Sequence, residues 1–200
     1  MSLDILFSDK KALTVSGLYS GIGKTLLAEY IVSIINDIAA IKITINDFFT
    51  LVTDDEKSIM VEGKDTFRLK SRGAKKVVWV RSKEEDIEEA VQQALYLIND
   101  CKKILVEGSS ILNYMTPDLA IFVCDEKLDN ISNLKSSRLT SLKKADIIIN
   151  NIRDDSVTNH NAVEKVCKEI NKNIPFISLN LKDGAAVLQT LKDVLSQRGF

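Results

Sequence analysis

Apolar runs and amphipathic segments alternate along almost the whole chain. Short β-branched runs predict seven strands, at about residues 13–15, 39–45, 76–81, 104–107, 119–124, 146–150 and 175–179. Between them, apolar residues recur three and four positions apart and predict helices, at about residues 26–35, 65–72, 83–101, 134–145, 160–172 and 184–197. Apolar strands that alternate with helices are typical of a mostly parallel sheet covered on both faces. The pattern predicts an α/β fold, a three-layer sandwich with a mostly parallel central sheet, forming one domain over residues 1–200.

Local signals refine the boundaries in the middle of the chain. Residues 46–64 show no clear period, so no element is predicted there. Gly73 follows the helix that begins at Asp65, at a position where glycine commonly ends a helix. Ser82 precedes an acidic turn and is expected to cap the helix after the third strand.

A glycine-rich stretch, Gly17–Thr25, connects the first strand to the first helix and reads Gly-Leu-Tyr-Ser-Gly-Ile-Gly-Lys-Thr. Strand, glycines, Lys-Thr and helix in this order are typical of a phosphate-binding loop (P-loop). Its backbone N–H groups and the helix N-terminus would hold phosphate, Lys24 would reach the β- and γ-phosphates, and Thr25 would bind Mg²⁺. The spacing is Gly-x5-Gly-Lys-Thr, one residue longer than usual, because Leu18 occupies the usual glycine position. The predicted nucleotide-binding residues of the loop are Gly17, Ser20, Gly21, Ile22, Gly23, Lys24, Thr25 and Leu26.

Polar residues at the carboxyl ends of the other strands are the next candidates, because ligands of parallel sheets bind there. Glu107 closes an apolar strand, where a carboxylate is costly unless it meets a cation or hydrogen-bond donors. We therefore predict Lys24 and Glu107 as catalytic residues, and Thr25, Glu107 and Asp47 as the Mg²⁺ site. The alternatives are that Glu107 simply emerges into solvent, and that the loop holding Asp47 lies away from the metal.

A candidate for base recognition follows the sixth strand. Asn151 and Asp154 form Asn-x-x-Asp, which resembles the Asn-Lys-x-Asp element by which GTPases hold guanine, with Ile152 in place of the lysine. If Asn150 is the first residue instead, Arg153 takes the place of the aspartate and the guanine prediction fails. Asn and Asp are also ordinary turn residues.

Composition and charge restrict the possible partners. The chain is 45% apolar and 28% charged, with a net charge of −1 and its basic residues spread along the sequence. Nothing in this distribution favours nucleic-acid binding, and no apolar run reaches the roughly 20 residues of a membrane span. With no apolar signal region before the first strand, we expect a cytoplasmic protein.

The middle of the chain resembles the molybdopterin-guanine dinucleotide biosynthesis protein B family, over roughly residues 12–150. The segments that carry the resemblance are Ile41-Lys42-Ile43-Thr44, Gly63-Lys64-Asp65-Thr66, Arg68, Gly73-Ala74 and Leu105-Val106-Glu107-Gly108. The resemblance implies a GTP-binding, slowly hydrolysing P-loop NTPase that assists attachment of GMP to molybdopterin. It also implies Asp65 as a further nucleotide or Mg²⁺ residue. The histidines usual after the second strand in that family are absent here, and the loop spacing differs.

The loop spacing is instead similar to dethiobiotin synthetase, an ATP-dependent ligase family in which Lys42 would be a substrate-site lysine. The glycine-rich stretch of that family is replaced here by Ser109-Ser110-Ile111. The signature lysine of ParA-like ATPases would fall at Tyr19, which disfavours that branch.

The sequence thus predicts a protein that binds GTP (or ATP) with Mg²⁺ and hydrolyses it slowly. Arg68 and Arg72 are candidates for transition-state stabilisation, and a partner such as a molybdopterin nucleotidyltransferase, or a second copy in a homodimer, would complete the site. The alternatives are an ATP-dependent ligase and a nucleotide-gated binding module without chemistry of its own.

Overall fold

The apolar runs of the chain form the strands of one sheet. The computed structural model describes residues 2–128, 132, 134–153, 160–170 and 172–200. Within these ranges, eight strands are ordered β3-β4-β2-β5-β1-β6-β7-β8. All neighbouring strands are parallel except β3, which pairs antiparallel with β4 at one edge. The strands are β1 (Lys11–Gly17), β2 (Ile38–Ile45), β3 (Leu51–Thr53), β4 (Lys76–Ser82), β5 (Lys103–Glu107), β6 (Leu119–Cys124), β7 (Ile147–Asn151) and β8 (Phe176–Leu179).

Helices cover both faces of this sheet. They are α1 (Leu3–Phe7), α2 (Lys24–Ile34), α3 (Glu56–Ile59), α4 (Asp65–Ser71), α5 (Ile87–Leu97), α6 (Ser136–Lys143), α7 (His160–Ile170) and α8 (Gly184–Gln197), with a 3₁₀ turn at Ser110–Asn113. Alternate strand residues face opposite layers. Leu13 and Val15 pack with α2, α4 and α8, whereas Ala12 packs with α1 and α5. Phe122 and Cys124 meet α6 and α7 on that second face. The predicted α/β three-layer sandwich is therefore confirmed.

Strand register brings the candidate residues together at the carboxyl edge of the sheet. Strand β5 lies between β1 and β2, and Glu107 pairs in register with Val15 on one side and Lys42 on the other. The glycine-rich loop begins two residues after Val15. Parallel pairing therefore sets the Glu107 carboxylate beside both the loop and the Lys42 ammonium.

The structure also contains elements that the sequence pattern did not predict. Residues 46–64 include the edge strand β3 and the one-turn helix α3, and α1 precedes the first strand. These elements are too short to show a period.

The capping role expected of Ser82 is wrong: this residue ends β4 buried, and its hydroxyl donates to the Lys83 carbonyl (2.7 Å). Gly73 does follow α4, with φ of +113°. No helix in the described part of the chain is long and apolar enough to cross a membrane.

Candidate nucleotide-binding site

The glycine-rich loop turns tightly between β1 and α2. Gly23 is the residue before α2 and has a φ of +118°, a left-handed conformation that glycine adopts most readily. A Cβ at Gly17 would lie 2.9 Å from the Val123 carbonyl oxygen, so the first glycine allows close approach to β6. Leu18 is buried against Phe122. Leu18 occupies the position where a glycine is usual, and its side chain packs in the core. Packing therefore accounts for the departure from the usual glycine spacing.

The two side chains at the start of α2 face the carboxyl edge of the sheet. Lys24 Nζ donates to the Tyr19 carbonyl oxygen across the loop (2.8 Å). The Thr25 hydroxyl donates to Glu107 Oε1 (2.8 Å). Lys42 Nζ lies 2.6 Å from the same Glu107 oxygen and 2.6 Å from Asp65 Oδ2. Lys42, on β2, therefore links the carboxylate of β5 to the carboxylate that begins α4.

Burial and charge shift the ionisation of this cluster. Burial lowers the pKa of Lys24 below the usual value for lysine, although Glu107 opposes the shift. For Lys42, burial by itself lowers the pKa, but the carboxylates of Glu107 and Asp65 outweigh it and raise the pKa. Burial would raise the pKa of Asp65, but the Lys42 ammonium outweighs it and lowers the pKa. The Lys42–Asp65 pair is charged at neutral pH, as an ion pair beside a phosphate site should be.

The donor set fits a Mg²⁺ ion, which prefers hard oxygen ligands and keeps several of its ligands from phosphate and water. Glu107 is fully buried, and its Oε2 has no hydrogen-bond partner among the described residues. No group of three or more His, Cys, Asp or Glu side chains in those ranges could hold a metal by itself. Thr25, Glu107 and Asp65 supply oxygens at one place, so a metal here would depend on nucleotide phosphates for the rest of its shell.

Asp47, predicted as a metal ligand, does not line this cleft. It lies exposed in the loop after β2. Asp65 lines the cleft instead, because α4 begins beside Lys42. The sequence alone could not place Asp47, because the course of residues 46–64 depends on the short strand β3, which left no periodic signal.

Asn151 connects the glycine-rich loop to the far edge of the sheet. Its Nδ2 donates to the Ile22 carbonyl (2.8 Å), and its Oδ1 accepts from the Leu181 N–H (3.2 Å). The neighbouring Asn150 points elsewhere and donates to Ser178 Oγ (3.2 Å). Of the two registers that the sequence left open, Asn151 is therefore the one that reaches the loop. Asp154 lies outside the described residues.

A second polar cluster, which the sequence did not point to, holds the outer side of the loop. The Tyr19 hydroxyl donates to Asp125, a buried carboxylate after β6. Arg153 Nη2 donates to the Gly21 carbonyl (2.8 Å), and its Nε lies 3.8 Å from Asp125 Oδ2. Burial and the hydrogen bond to Asp125 raise the pKa of Tyr19 to about 12. The loop is thus fixed by side chains from the segments that follow β6 and β7, as well as by its own backbone.

The nucleotide cleft, as we call the cavity beside the loop, has a volume of about 390 Å³. Arg68 is at its rim, but Arg68 pairs with the buried Glu29 of α2, and Arg72 Nε lies 3.4 Å from Glu29 Oε2. Both arginines therefore pair with that carboxylate, while Arg68 also lines the cleft. The cleft is lined by Ser20, Gly21, Gly23, Lys24, Thr25, Leu26, Lys42, Asp65, Arg68 and Glu107.

No family model and no curated protein matches the chain, but solved structures do. HypB from Helicobacter pylori, in complex with nickel, matches over 98% of this chain and 94% of that chain, with a TM-score of 0.67 and 13% identity. The hydrogenase maturation factor HypB from Archaeoglobus fulgidus matches over 96% of both chains, with a TM-score of 0.58 and 16% identity. The signal recognition particle 54 kDa protein from Aeropyrum pernix, in complex with GDP, matches over 95% of this chain but 49% of its own, with a TM-score of 0.51 and 15% identity.

At such identities the likeness is one of fold. The chain has the P-loop NTPase fold. This follows from the eight-stranded sheet, the glycine-rich loop before α2 and the similarity to these solved structures.

Proposed function

We propose that this protein binds GTP with Mg²⁺ at the nucleotide cleft and hydrolyses it slowly. The observation that carries the proposal is the cluster in which Thr25 and Lys42 both donate to the buried Glu107, with Lys24 held 2.8 Å from a carbonyl of the loop. A lysine and a hydroxyl in this arrangement are what triphosphate and Mg²⁺ require of a P-loop. The Mg²⁺ ion, when bound, would neutralise charge on the phosphates.

Each residue has a role in this proposal. Lys24 would give up its hydrogen bond to the Tyr19 carbonyl oxygen and donate instead to the β- and γ-phosphates. Because the Lys24 side chain is partly shielded from water, this charge-assisted contact would be stronger than the same contact in water. Thr25 and Glu107 would hold the metal, and Lys42 would hold the Glu107 and Asp65 side chains in place through its contacts with both. Since Arg68 and Arg72 are occupied by Glu29, slow hydrolysis in isolation is expected.

The choice of GTP over ATP rests on Asn151 and Asp154. Asn151 adjoins the loop. By resemblance to the Asn-Lys-x-Asp element of GTPases, Asp154 would accept hydrogen bonds from the guanine base. Arg153 beside the loop is compatible with a base site on this side of the sheet.

The wider role that we propose is that of an accessory protein in metal-cofactor maturation, specifically of molybdopterin-guanine dinucleotide. The segment Gly63–Thr66 carries this proposal, since it begins α4 and supplies Asp65 to the cleft. Two proteins of similar fold are named HypB; one is called a hydrogenase maturation factor and the other is in complex with nickel. Both names are compatible with a role in building a metal centre. A molybdopterin nucleotidyltransferase or a second copy of the chain would be the partner.

Thermal unfolding with nucleotides tests the proposal. GTP–Mg²⁺ at one hundred times its Kd should raise the Tm by about 5–10 °C, and ATP–Mg²⁺ at the same concentration should raise it much less. Lys24→Ala should abolish the shift, whereas Lys192→Ala, an exposed lysine on α8, should preserve it. Asp154→Asn should weaken the preference for GTP over xanthosine triphosphate.

Equal or greater stabilisation by ATP would reject the guanine assignment and favour the ligase alternative. That alternative is supported by the contact of Lys42 with the cleft, and it requires hydrolysis that depends on bicarbonate and a small amine. A nucleotide shift that survives Lys24→Ala would remove the loop as the phosphate site.

A further inference from the structure

A second cleft opens beside the nucleotide cleft, on the side facing α6. We call it the adjoining cleft; its volume is also about 390 Å³, which is in the range of sites for small molecules. It is lined by the end of β2, by the segment that follows β5 and by the start of α6. The two clefts share Ser20, Lys24, Lys42 and Asp65, so a ligand here would lie next to the terminal phosphate of the nucleotide.

The charge of the adjoining cleft is positive. Four cations, Lys24, Lys42, Lys135 and Arg138, line it, against the carboxylates Asp65 and Glu84 among its described lining residues. Lys42 is neutralised by Glu107 and Asp65, and Lys24 would be committed to the nucleotide. The side chains of Lys135 and Arg138 have no hydrogen bond or ion pair to any residue within the described ranges. Arg138 is also close enough to Lys24 to contribute to the lowering of its pKa.

Hydroxyl groups complete this surface. Ser110 is 4% exposed yet lines the cleft, and its hydroxyl makes no hydrogen bond to another described residue. Ser137, in the first turn of α6, lines the cleft as well. The Ser110 hydroxyl therefore faces the cleft and can donate to an acceptor bound there.

We propose that the adjoining cleft binds a second, phosphorylated small molecule beside the nucleotide, with Arg138 and Lys135 holding its phosphate and Ser110 donating to it. An arginine with a lysine and hydroxyl donors matches a phosphate oxyanion, because the guanidinium can donate two parallel hydrogen bonds to it. The proposal rests on the proposed function, since the shared residues set this ligand against a bound nucleotide.

The test uses the full chain saturated with a non-hydrolysable GTP analogue and Mg²⁺, so that the glycine-rich loop is filled. Inorganic phosphate and glycerol 3-phosphate are then titrated and followed by phosphorus NMR, and glycerol is added as an uncharged competitor that should leave their signals unchanged. Both phosphates should bind saturably. Arg138→Gln and Lys135→Gln should each weaken the binding of both phosphate ligands about tenfold or more, while the affinity for the GTP analogue stays unchanged. Lys192→Gln should alter neither affinity.

Three results would overturn the proposal. One is phosphate binding that is unchanged in both variants, and another is no saturable phosphate binding at all. The third is an equal loss of analogue affinity in Arg138→Gln, which would assign Arg138 to the nucleotide cleft and leave the proposed function intact. A wild-type chain that fails to bind the analogue would instead reject the proposed function, and this inference with it.

Discussion

At the scale of single residues, the buried carboxylate of Asp125 organises the outer side of the glycine-rich loop. It is 1% exposed and accepts from the Tyr19 hydroxyl and from the Lys127 N–H (3.1 Å). The ring of Tyr19 also lies 5.2 Å from the Lys127 ammonium and 5.8 Å from the Arg153 guanidinium. Tyr19 stands where ParA-like ATPases would carry a lysine, and here that position stabilises the loop through a neutral phenol.

The pKa of Tyr19 gives a prediction about alkaline pH. Because the folded-state pKa of about 12 lies above the ordinary value of 10.0, the neutral phenol stabilises the fold below pH 10, and this contribution is lost as pH rises towards 12. Tyr19→Phe should destabilise the protein by about 1 kcal/mol or more at neutral pH, and its stability should fall less than that of the wild type between pH 10 and 12.

The measurements are urea unfolding across this pH range and titration of tyrosinate absorbance. Of the four tyrosines, Tyr96 is 78% exposed, and Tyr96→Phe serves as the control that retains the component near pH 12. If Tyr19→Phe also retains that component, the component belongs to another tyrosine and the raised pKa of Tyr19 is contradicted.

At the scale of elements, the sequence predicts the parts of the fold that repeat and misses the parts that depend on distant contacts. Strand β6 (Leu119–Cys124) and helix α8 (Gly184–Gln197) have the predicted bounds, because burial imposes an apolar run on one and a helical period on the other. Strand β3 has three residues and exists only because β4 pairs with it, so the placement of Asp47 could not be deduced. The Tyr19–Asp125–Arg153 cluster joins residues more than 100 positions apart, a contact that no local motif indicates.

Asn151 shows how one side chain can couple two elements, and its replacement should affect both stability and binding. Asn151→Ala removes the hydrogen bonds to Ile22 and Leu181, leaving two buried backbone groups unpaired. We expect a loss of about 1–3 kcal/mol in the free energy of unfolding and about tenfold weaker nucleotide binding, because the loop loses its anchor on β7.

Asn150→Ala is the matched control, since it removes a neighbouring buried amide that donates to Ser178 on β8. It should destabilise the fold without changing the Kd for nucleotide. Urea unfolding and calorimetric titration measure the two quantities separately. Equal Kd values for both variants would mean that Asn151 supports the fold alone.

At the scale of the whole molecule, helix packing connects the two halves of the sheet. Helix α8 follows the edge strand β8 yet packs against α2, which follows the central strand β1. Leu191 of α8 is 1% exposed and belongs to the same cluster of buried residues as Leu13 of β1 and Val77 of β4. The core on this face therefore continues from β8 to β4, across most of the sheet.

This continuity predicts that residues 1–200 unfold as one cooperative unit. Trp79, the single tryptophan, lies on β4, near the edge opposite to β8, so its fluorescence reports on the half of the sheet away from α8. Leu191→Ala should remove about 2–5 kcal/mol of stability and move the fluorescence and circular dichroism transitions by the same amount. Lys192→Ala, exposed on the same helix, should move neither. If Leu191→Ala shifts the dichroism transition and leaves the Trp79 transition in place, the halves unfold separately. The nucleotide cleft lies at the ends of β1, β2 and β5, in the middle of the sheet. In that case the cleft would lie at the boundary between two unfolding units rather than within one.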